Sequence, residues 1–277
     1  MKYFTISCYT MLNHERKQEK TMETQALQKV EQYALKKQNI FASSKIRYVL
    51  RSILASMFIG FGITAASKTG SYFFMADSPF AFPAAAVTFG AAILLIAYGG
   101  GDLFTGNTFY FTYTALRKKL SWRNTLYLWM SSYAGNLIGA ILFAILISAT
   151  GLFEEPSVHS FLIHLAEHKM EPPASELFFR GMLCNWLVCL AFFIPMSLKG
   201  EGAKLFTMML FVFCFFISGF EHSIANMCTF AISLLIEHPD TVTLMGAVRN
   251  LIPVTLGNLT AGIVMMGWMY YTLNPDQ

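Results

Sequence analysis

Long apolar stretches alternate with short polar ones along the chain of 277 residues. A helix needs about 20 mostly apolar residues to cross a bilayer, and the pattern predicts six such helices. Four are continuous, whereas the second and fifth are longer than one span requires and are interrupted by polar residues. The predicted spans cover residues 48–68, 82–115, 123–150, 174–198, 203–236 and 244–272.

The composition agrees with a chain embedded in lipid. Hydrophobic residues make up 55% of the sequence and charged residues 13%, and the mean hydropathy is +0.48. Soluble domains carry about 25% charged residues. The net charge of +4 gives no sign of a nucleic-acid partner. The expected surroundings of the chain are therefore a lipid bilayer.

The basic residues predict the orientation. Half of the 20 Lys and Arg residues precede position 52, and further ones follow the second and fourth predicted spans. Because basic loops stay in the cytoplasm, both termini are expected there, with the 151–176 loop outside. We predict a cytoplasmic arm with an amphipathic helix, a six-helix domain and a short cytoplasmic tail, over residues 1–45, 46–273 and 274–277. A partly ordered tail is the alternative for the arm.

Two halves of the chain resemble each other. The third span contains "GNLIGAILF" from Gly135 and the sixth contains "GNLTAGIVMMG" from Gly257, 122 residues later. The interruptions "YGGGDLFTGN" and "SGFEHSIAN" place Asp102 and Glu221 119 residues apart. The order continuous, broken, continuous thus occurs twice. Since each half has three spans, the halves are expected to have opposite orientations, as in transporters with inverted repeats.

The polar residues at the interruptions suggest how the breaks are held. A break inside a membrane must be buried in protein or line a cavity, and the restarted half-helix needs N-terminal caps. Its N-terminus also attracts anions. A carboxylate in an anion pathway would repel an anion, so Asp102 and Glu221 are predicted to be structural. Asn226 is predicted to be structural as well. The candidate caps are Asp102, Thr105 and Asn107 at the first break and Glu221, Ser223 and Asn226 at the second.

His222 is the main functional candidate, because ionisable residues inside a membrane usually serve function. It could hand a proton to a weak-acid anion in transit. The alternative is a neutral, structural histidine. Its neighbour Glu221 does not suggest a catalytic pair, since adjacent residues on a helix point about 100° apart. No P-loop, HExxH or GxSxG motif is present, so the chain is not expected to be an enzyme.

Three further polar residues are candidates for the substrate pathway, each with a simpler alternative. Thr105 could donate to an anion or to His222, or only cap a helix. Asn185 could supply an amide donor or bridge helices. Lys169 could raise the local anion concentration or be an ordinary loop lysine. The five cysteines are scattered without a CxxC motif, so neither a disulfide nor a metal or other cofactor is expected.

The motifs "GGGDLFTGNT", "CNWLVCLAFF", "GFEHSIANM" and "PVTLGNLTAG" together resemble the formate/nitrite transporter family over about residues 24–273. The resemblance implies an all-α membrane protein with an inverted 3+3 repeat and broken helices 2 and 5. It also implies an aquaporin-like protomer, with its own pore, in a homopentamer.

The resemblance also assigns pathway residues. His222 matches the family's central pore histidine, and Thr105 matches the threonine of the broken second helix, in a loop thought to move during gating. Asn185 matches a pore-facing asparagine, and "HKM" matches an outer-vestibule motif that contains Lys169. Ile93 stands where a leucine is usual. The implied constrictions are Phe89 and Phe215 on the outer side and Leu103, Phe104 and Val188 on the inner side.

The function implied is a membrane channel or transporter for small monovalent anions, in the inner membrane of a bacterium. The stretches "ELFFRGMLCNWLVCLA", "EGAKL" and "VTLGN" are most similar to the nitrite-transporting branch. Formate or hydrosulfide remains an alternative within the family. A neutral-solute pore of the aquaporin type and a membrane enzyme are alternatives from other classes.

Overall fold

The computed structural model is helical over the part of the chain that it describes, which is the backbone of residues 2–275 and the side chains of residues 22–275. The last two residues of the predicted tail lie outside this part, as do the side chains of the four basic residues before position 22. Within it there is no strand. The helices are α1 (Lys2–Ser43), α2 (Lys45–Phe74), α3 (Ala81–Phe89), α4 (Ala91–Gly99), α5 (Phe104–Leu116), α6 (Trp122–Ser148), α7 (Pro156–Met170), α8 (Ala174–Phe193), α9 (Glu201–Ile217), α10 (Ser223–Ser233), α11 (Leu244–Thr260) and α12 (Met269–Leu273).

Five stretches of helix in the described residues are long and apolar enough to cross a membrane: Lys45–Phe74, Ala81–Gly99, Trp122–Ser148, Ala174–Met196 and Leu244–Leu273. The fifth predicted span contains α9 and α10, which have 17 and 11 residues. The all-helical membrane fold is therefore confirmed. The count of six spans and the opposite orientation of the two halves stay predictions.

Both predicted helix breaks are present. The chain leaves the helix after α4 and resumes at α5, with Gly100 in the left-handed region at φ 76°. It leaves the helix again after α9 and resumes at α10, with Gly219 at φ 69°. Glycine adopts this conformation without a steric penalty. The two polar interruptions in the sequence therefore mark real gaps in the helices.

The repeated Gly-Asn motif marks close helix packing. A Cβ added to Gly135 on α6 would lie 2.6 Å from the Ser52 Cβ on α2. A Cβ added to Gly257 on α11 would lie 2.1 Å from the Phe178 carbonyl oxygen on α8. Small residues let membrane helices approach closely. The repeat thus records the same packing of α6 on α2 and of α11 on α8.

The last predicted span is not a regular α-helix. Residues Ala261–Trp268 form a π-helical segment between α11 and α12. A Cβ added to Gly262 would overlap the Thr108 hydroxyl of α5, with 1.8 Å between the atoms. Wide helical turns of this kind often occur near functional sites. Here the segment lies closely against α5, the helix that begins at the first break.

The N-terminal arm is held against the protein. In α1 the apolar face formed by Ala26, Leu27, Val30 and Ala34 is fully buried, in a cluster with the aromatic residues of α5. The amphipathic helix therefore covers protein surface. The boundaries of the arm and of the six-helix domain stay predictions.

The 151–176 segment was expected to be an outward loop, but it is largely helical. Its helix α7 begins at Pro156, a residue suited to the first turn, and buries Phe161, Leu162 and Ala166. It places Lys169 beside the second break.

Candidate transport site

The first break is held by an asparagine from another helix. The Asn136 side-chain oxygen on α6 accepts the backbone N–H of Phe104 at 3.0 Å. Its amide nitrogen donates to the carbonyl oxygens of Ser52 at 2.6 Å and Asp102 at 3.1 Å. The N-cap of α5 is Leu103, which has no capping side chain. The prediction that Asp102, Thr105 or Asn107 caps this helix is therefore wrong, because the N–H of Phe104 is bound by Asn136 instead.

The second break repeats this arrangement. The Asn258 side-chain oxygen on α11 accepts the backbone N–H of Ser223 at 2.9 Å. Its amide nitrogen donates to the carbonyl oxygens of Gly181 at 2.7 Å and Glu221 at 3.1 Å. Asn258 lies 122 residues after Asn136, the offset of the Gly-Asn repeat. Two buried asparagines in equivalent positions therefore hold the two breaks.

The cap of α10 differs from the predicted ones. His222 occupies the N-cap position, and its Nδ1 accepts the backbone N–H of Ala225 at 3.0 Å. Glu221, Ser223 and Asn226 were expected in this role, and that prediction is wrong. The Ser223 hydroxyl is buried without a hydrogen-bond partner among the described residues. A donor therefore remains available directly beside the histidine.

Each break also contains a buried carboxylate paired with a lysine. Asp102 is 3% exposed and lies 3.5 Å from the Lys37 ammonium of α1, and it accepts a hydrogen bond from the Asn107 amide. The same ammonium donates to the Asn107 side-chain oxygen at 2.5 Å. Burial lowers the pKa of Lys37, and the Asp102 carboxylate opposes this shift. The arm is thus tied to the first break by a charged contact that the sequence did not predict.

Glu221 has equivalent partners. It is 3% exposed, accepts from the Lys169 ammonium of α7 at 3.0 Å and accepts from the Asn226 amide at 2.5 Å. Asn226 also donates to the Asn250 side-chain oxygen at 2.9 Å. These contacts match the structural role proposed for Glu221 and Asn226. The positive charge of Lys169 is therefore partly balanced by the Glu221 carboxylate. The attraction of anions by Lys169 stays a prediction.

His222 and Thr105 meet across the two breaks. The His222 Nε2 lies 2.9 Å from the Thr105 hydroxyl oxygen, and both residues are buried. Because Nδ1 accepts the Ala225 N–H, a neutral imidazole carries its proton on Nε2. That N–H then donates to the Thr105 hydroxyl. The Nε2–H can therefore donate to a ligand while the cap is kept, whereas release of a proton to a ligand requires the imidazolium form, in which Nδ1 no longer accepts the Ala225 N–H.

The expected helical angle between Glu221 and His222 does not apply, because both residues precede α10. His222 has extended backbone angles of φ −108° and ψ 112°. Successive side chains of an extended segment point to opposite sides. The conclusion that the two residues have different partners is correct, but it follows from the extended backbone.

Aromatic rings line the histidine on one side. The Phe215 ring stacks on the His222 ring with centroids 5.9 Å apart, and Phe89 meets Phe215 edge to face at 5.9 Å. Both phenylalanines are buried. Leu103, Phe104, Val188 and Ile93 belong to the same buried cluster. All five predicted constriction residues thus lie in one apolar cluster with the two breaks, and their role as constrictions stays a prediction.

Asn185 acts as a bridge between helices. It is fully buried, and its amide nitrogen donates to the Asn258 carbonyl oxygen at 2.6 Å and the Thr108 hydroxyl at 3.0 Å. The Thr105 carbonyl oxygen lies 3.4 Å away. The bridging alternative therefore describes its contacts, and a place in the substrate pathway stays a prediction.

Sequence reasoning missed Asn136, Asn258 and Lys37. The two asparagines stand in the repeated "GNL", which was used only as a sign of duplication. Lys37 gave no signal, since it is one of many lysines in the arm. Among the described residues, no group of three or more His, Cys, Asp and Glu is arranged to hold a metal ion.

Long apolar helices, two helix breaks and a buried His–Thr pair between them define a polytopic membrane transport protein. A family model described as formate/nitrite transporter matches residues 24–272. The chain belongs to the formate/nitrite transporter family.

Curated relatives agree with this assignment. The chain is 98% identical over 256 residues to the uncharacterized transporter YwcJ of Bacillus subtilis (strain 168), which covers 92% of this chain and 100% of that protein. It is 35% identical over 255 residues to the nitrite transporter NirC of Salmonella typhimurium, covering 92% of this chain and 93% of NirC.

Two solved structures share the fold. One, described as an FNT family ion channel, gives a TM-score of 0.85 at 33% identity and covers 90% of this chain and 99% of that one. The other, described as a pentameric formate channel with formate bound, gives a TM-score of 0.71 at 26% identity over 89% and 99% of the two chains. The predicted family and fold class are confirmed.

Proposed function

We propose that this protein carries small monovalent anions across the cytoplasmic membrane of a bacterium, with nitrite as its main substrate. The observation that carries the proposal is the contact of His222 Nε2 with the Thr105 hydroxyl at 2.9 Å, between two helix breaks and beside the Phe215 ring. It is supported by the similarity to a protein named as a nitrite transporter.

The surroundings of this pair suit an anion that has lost its water. Helix α10 begins directly after His222, so its N-terminal dipole favours negative charge there. The His222 N–H and the unpaired Ser223 hydroxyl can donate to an anion. The carboxylates of Asp102 and Glu221 hold lysines and amides and are engaged away from the histidine. Repulsion of the substrate by these groups is thereby reduced.

Protonation of the anion makes its passage through the apolar cluster easier. An isolated charge is costly inside a membrane, and Phe89 and Phe215 offer it no hydrogen bond. An anion that takes the Nε2 proton from the imidazolium form of His222 crosses as the neutral weak acid and leaves a neutral imidazole, which then takes a new proton from the solvent. The imidazolium form carries a proton on both ring nitrogens, so Nδ1 releases the Ala225 N–H while this step takes place.

The working form is proposed to be a homopentamer with both termini in the cytoplasm. The pentamer is supported by the related structure described as pentameric, and the orientation by the basic residues of the arm and inner loops. A mass measurement of the purified protein in detergent or nanodiscs tests the assembly.

The decisive test of function is a flux comparison in proteoliposomes, with anion entry followed by an internal pH-sensitive dye and the entry of glycerol or water followed by light scattering. We expect entry of nitrite, formate and hydrosulfide in the protein-containing vesicles, with nitrite fastest, and no glycerol entry above that of empty vesicles. A formate flux faster than the nitrite flux would mean that formate, and not nitrite, is the main substrate. Glycerol or water flux without anion flux would favour a neutral-solute pore and refute the proposal.

A further inference from the structure

Helix α6 holds Phe104 at two points. The Asn136 side chain fixes the Phe104 backbone N–H. Three residues earlier, and therefore on the same helix face, the Tyr133 ring meets the Phe104 ring edge to face, with centroids 5.0 Å apart and planes at 75°. Edge-to-face aromatic pairs favour a defined ring orientation. The backbone and the ring of Phe104 are thus both set by α6.

The Tyr133 ring is itself anchored in the other half of the molecule. Its hydroxyl lies 3.0 Å from the Thr255 hydroxyl of α11, in a partly buried position. Thr255 follows Tyr133 by 122 residues, the offset that relates Asn136 to Asn258. The hydrogen bond therefore joins equivalent positions of the two halves, directly beside the residues proposed as the inner constriction.

The second half lacks such a ring pair. The equivalents of Phe104 and Tyr133 are Ser223 and Thr255, which are small and polar. Ser223 is held by Asn258 through its backbone N–H, as Phe104 is held by Asn136. The backbone arrangement is common to both halves, whereas the anchored aromatic pair occurs in one. The pair is therefore not required to build a break.

We propose that Tyr133, anchored by Thr255, is a positioning residue that holds the Phe104 ring and thereby limits the size of the anion that passes. This inference rests on the proposed function, because it needs an anion pathway beside Phe104. A tyrosine without its anchor can swing away from Phe104, and a leucine in its place leaves the phenyl ring free to turn. Both changes should admit a bulkier monocarboxylate.

The test is the ratio of lactate flux to formate flux in proteoliposomes. Tyr133→Leu should raise this ratio by about tenfold, within the range by which a pocket separates substrates of slightly different size. Tyr133→Phe and Thr255→Val each remove the same hydrogen bond, and each should raise the ratio by about fivefold. The double variant should give no more than either single one. Tyr127→Leu, on the exposed part of α6, is the matched control and should leave the ratio unchanged.

A ratio is used because a merely structural role would lower both fluxes together. If Tyr133→Leu fails to assemble, the two milder variants carry the test. An unchanged ratio in all variants, or additive effects of Tyr133→Phe and Thr255→Val, would overturn the inference. Absence of formate and nitrite flux in the wild type would instead overturn the proposed function.

Discussion

The two helix breaks share one hydrogen-bonded frame but differ in the residues that the frame presents. At each break an asparagine holds the new helix by its first N–H, a carboxylate accepts from an asparagine five residues later, and a lysine from a separate helix pairs with the carboxylate. A backbone contact is repeated as well. The N–H of Asp102 donates to the Arg51 carbonyl oxygen, and the N–H of Glu221 donates to the Arg180 carbonyl oxygen.

The difference lies in the two positions after the carboxylate. The first break has Leu103 and Phe104, and the second has His222 and Ser223. One half therefore contributes apolar bulk, whereas the other contributes a titratable ring and a hydroxyl without a hydrogen-bond partner among the described residues. The comparison teaches that the duplicated frame supplies the fold of the breaks, and that the chemistry resides in a few positions where the halves diverge.

The largest effect is expected from removal of a frame asparagine. Asn136→Leu and Asn258→Leu each leave the first N–H of a half-helix unpaired, at a cost of about 1–3 kcal/mol, and each lose two further hydrogen bonds to carbonyl oxygens, of about 1 kcal/mol each. Both variants should lose the assembled protein or lower its thermal midpoint strongly, and to a similar extent. Thermal unfolding in detergent measures this. A large loss in one variant and none in the other would show that the two breaks are not equivalent.

The lysines should come next. Lys37→Met and Lys169→Met each leave a buried carboxylate unpaired, and breaking a buried pair costs about 3–5 kcal/mol. Because both lysine side chains are partly exposed, at 18% and 19%, values at the lower end are expected. Lys204→Met, in an exposed pair with Glu201, is the control and should change the free energy of unfolding little.

A double variant separates pairing from other effects of Lys169. Glu221→Gln added to Lys169→Met removes the stranded charge and should restore part of the lost stability. No recovery would mean that the ion pair does not account for the loss.

A smaller effect is expected at the contact between the breaks. Thr105→Val removes the hydroxyl that accepts from His222, a hydrogen bond of about 1 kcal/mol. The initial anion flux should therefore fall by about fivefold, with the protein still assembled. Thr114→Val is the control, since that hydroxyl donates to the Tyr110 carbonyl oxygen within α5. Equal fluxes in wild type and Thr105→Val would show that the Thr105 hydroxyl has no role in anion transport.

The smallest expected effect is the pH dependence of the stability that Lys37 contributes. Burial lowers the pKa of Lys37 below its ordinary value of 10.5, so the unfolded chain binds this proton more tightly than the folded one. Stability of the wild type relative to Lys37→Met should therefore rise with pH between the lowered pKa and 10.5. Thermal midpoints of both proteins across that interval measure it. A difference that falls with rising pH would mean that the ion pair with Asp102 outweighs burial.

The sequence predicted the breaks well because a polar interruption in an apolar span has few physical solutions. "GGGDLFTGN" and "SGFEHSIAN" could not continue as lipid-facing helix, and the gaps lie where these stretches stand. His222 could be singled out for the same reason. Its contact with Thr105 was one of the alternatives that the sequence left open for that threonine.

The contacts that hold the breaks could not be predicted, because they come from residues far along the chain. Asn136 caps α5 from the next helix, and Lys37 reaches Asp102 from the arm. Local rules favour caps within a few residues of the helix start, so they pointed to Asp102 and Asn107. The π-helical segment after Thr260, which lies against Thr108 of α5, likewise leaves no mark in the apolar pattern.

The central claim is that His222, present in one half only, exchanges the proton that lets an anion pass. The most direct measurement is the initial rate of nitrite entry into proteoliposomes as a function of external pH, for wild type, His222→Asn and the exposed control His238→Asn, with empty vesicles subtracted. We predict that the wild type and the control show a rate that rises as pH falls, and that His222→Asn loses most of the flux and the pH dependence of the remainder. An unchanged rate and pH profile in His222→Asn would contradict the account.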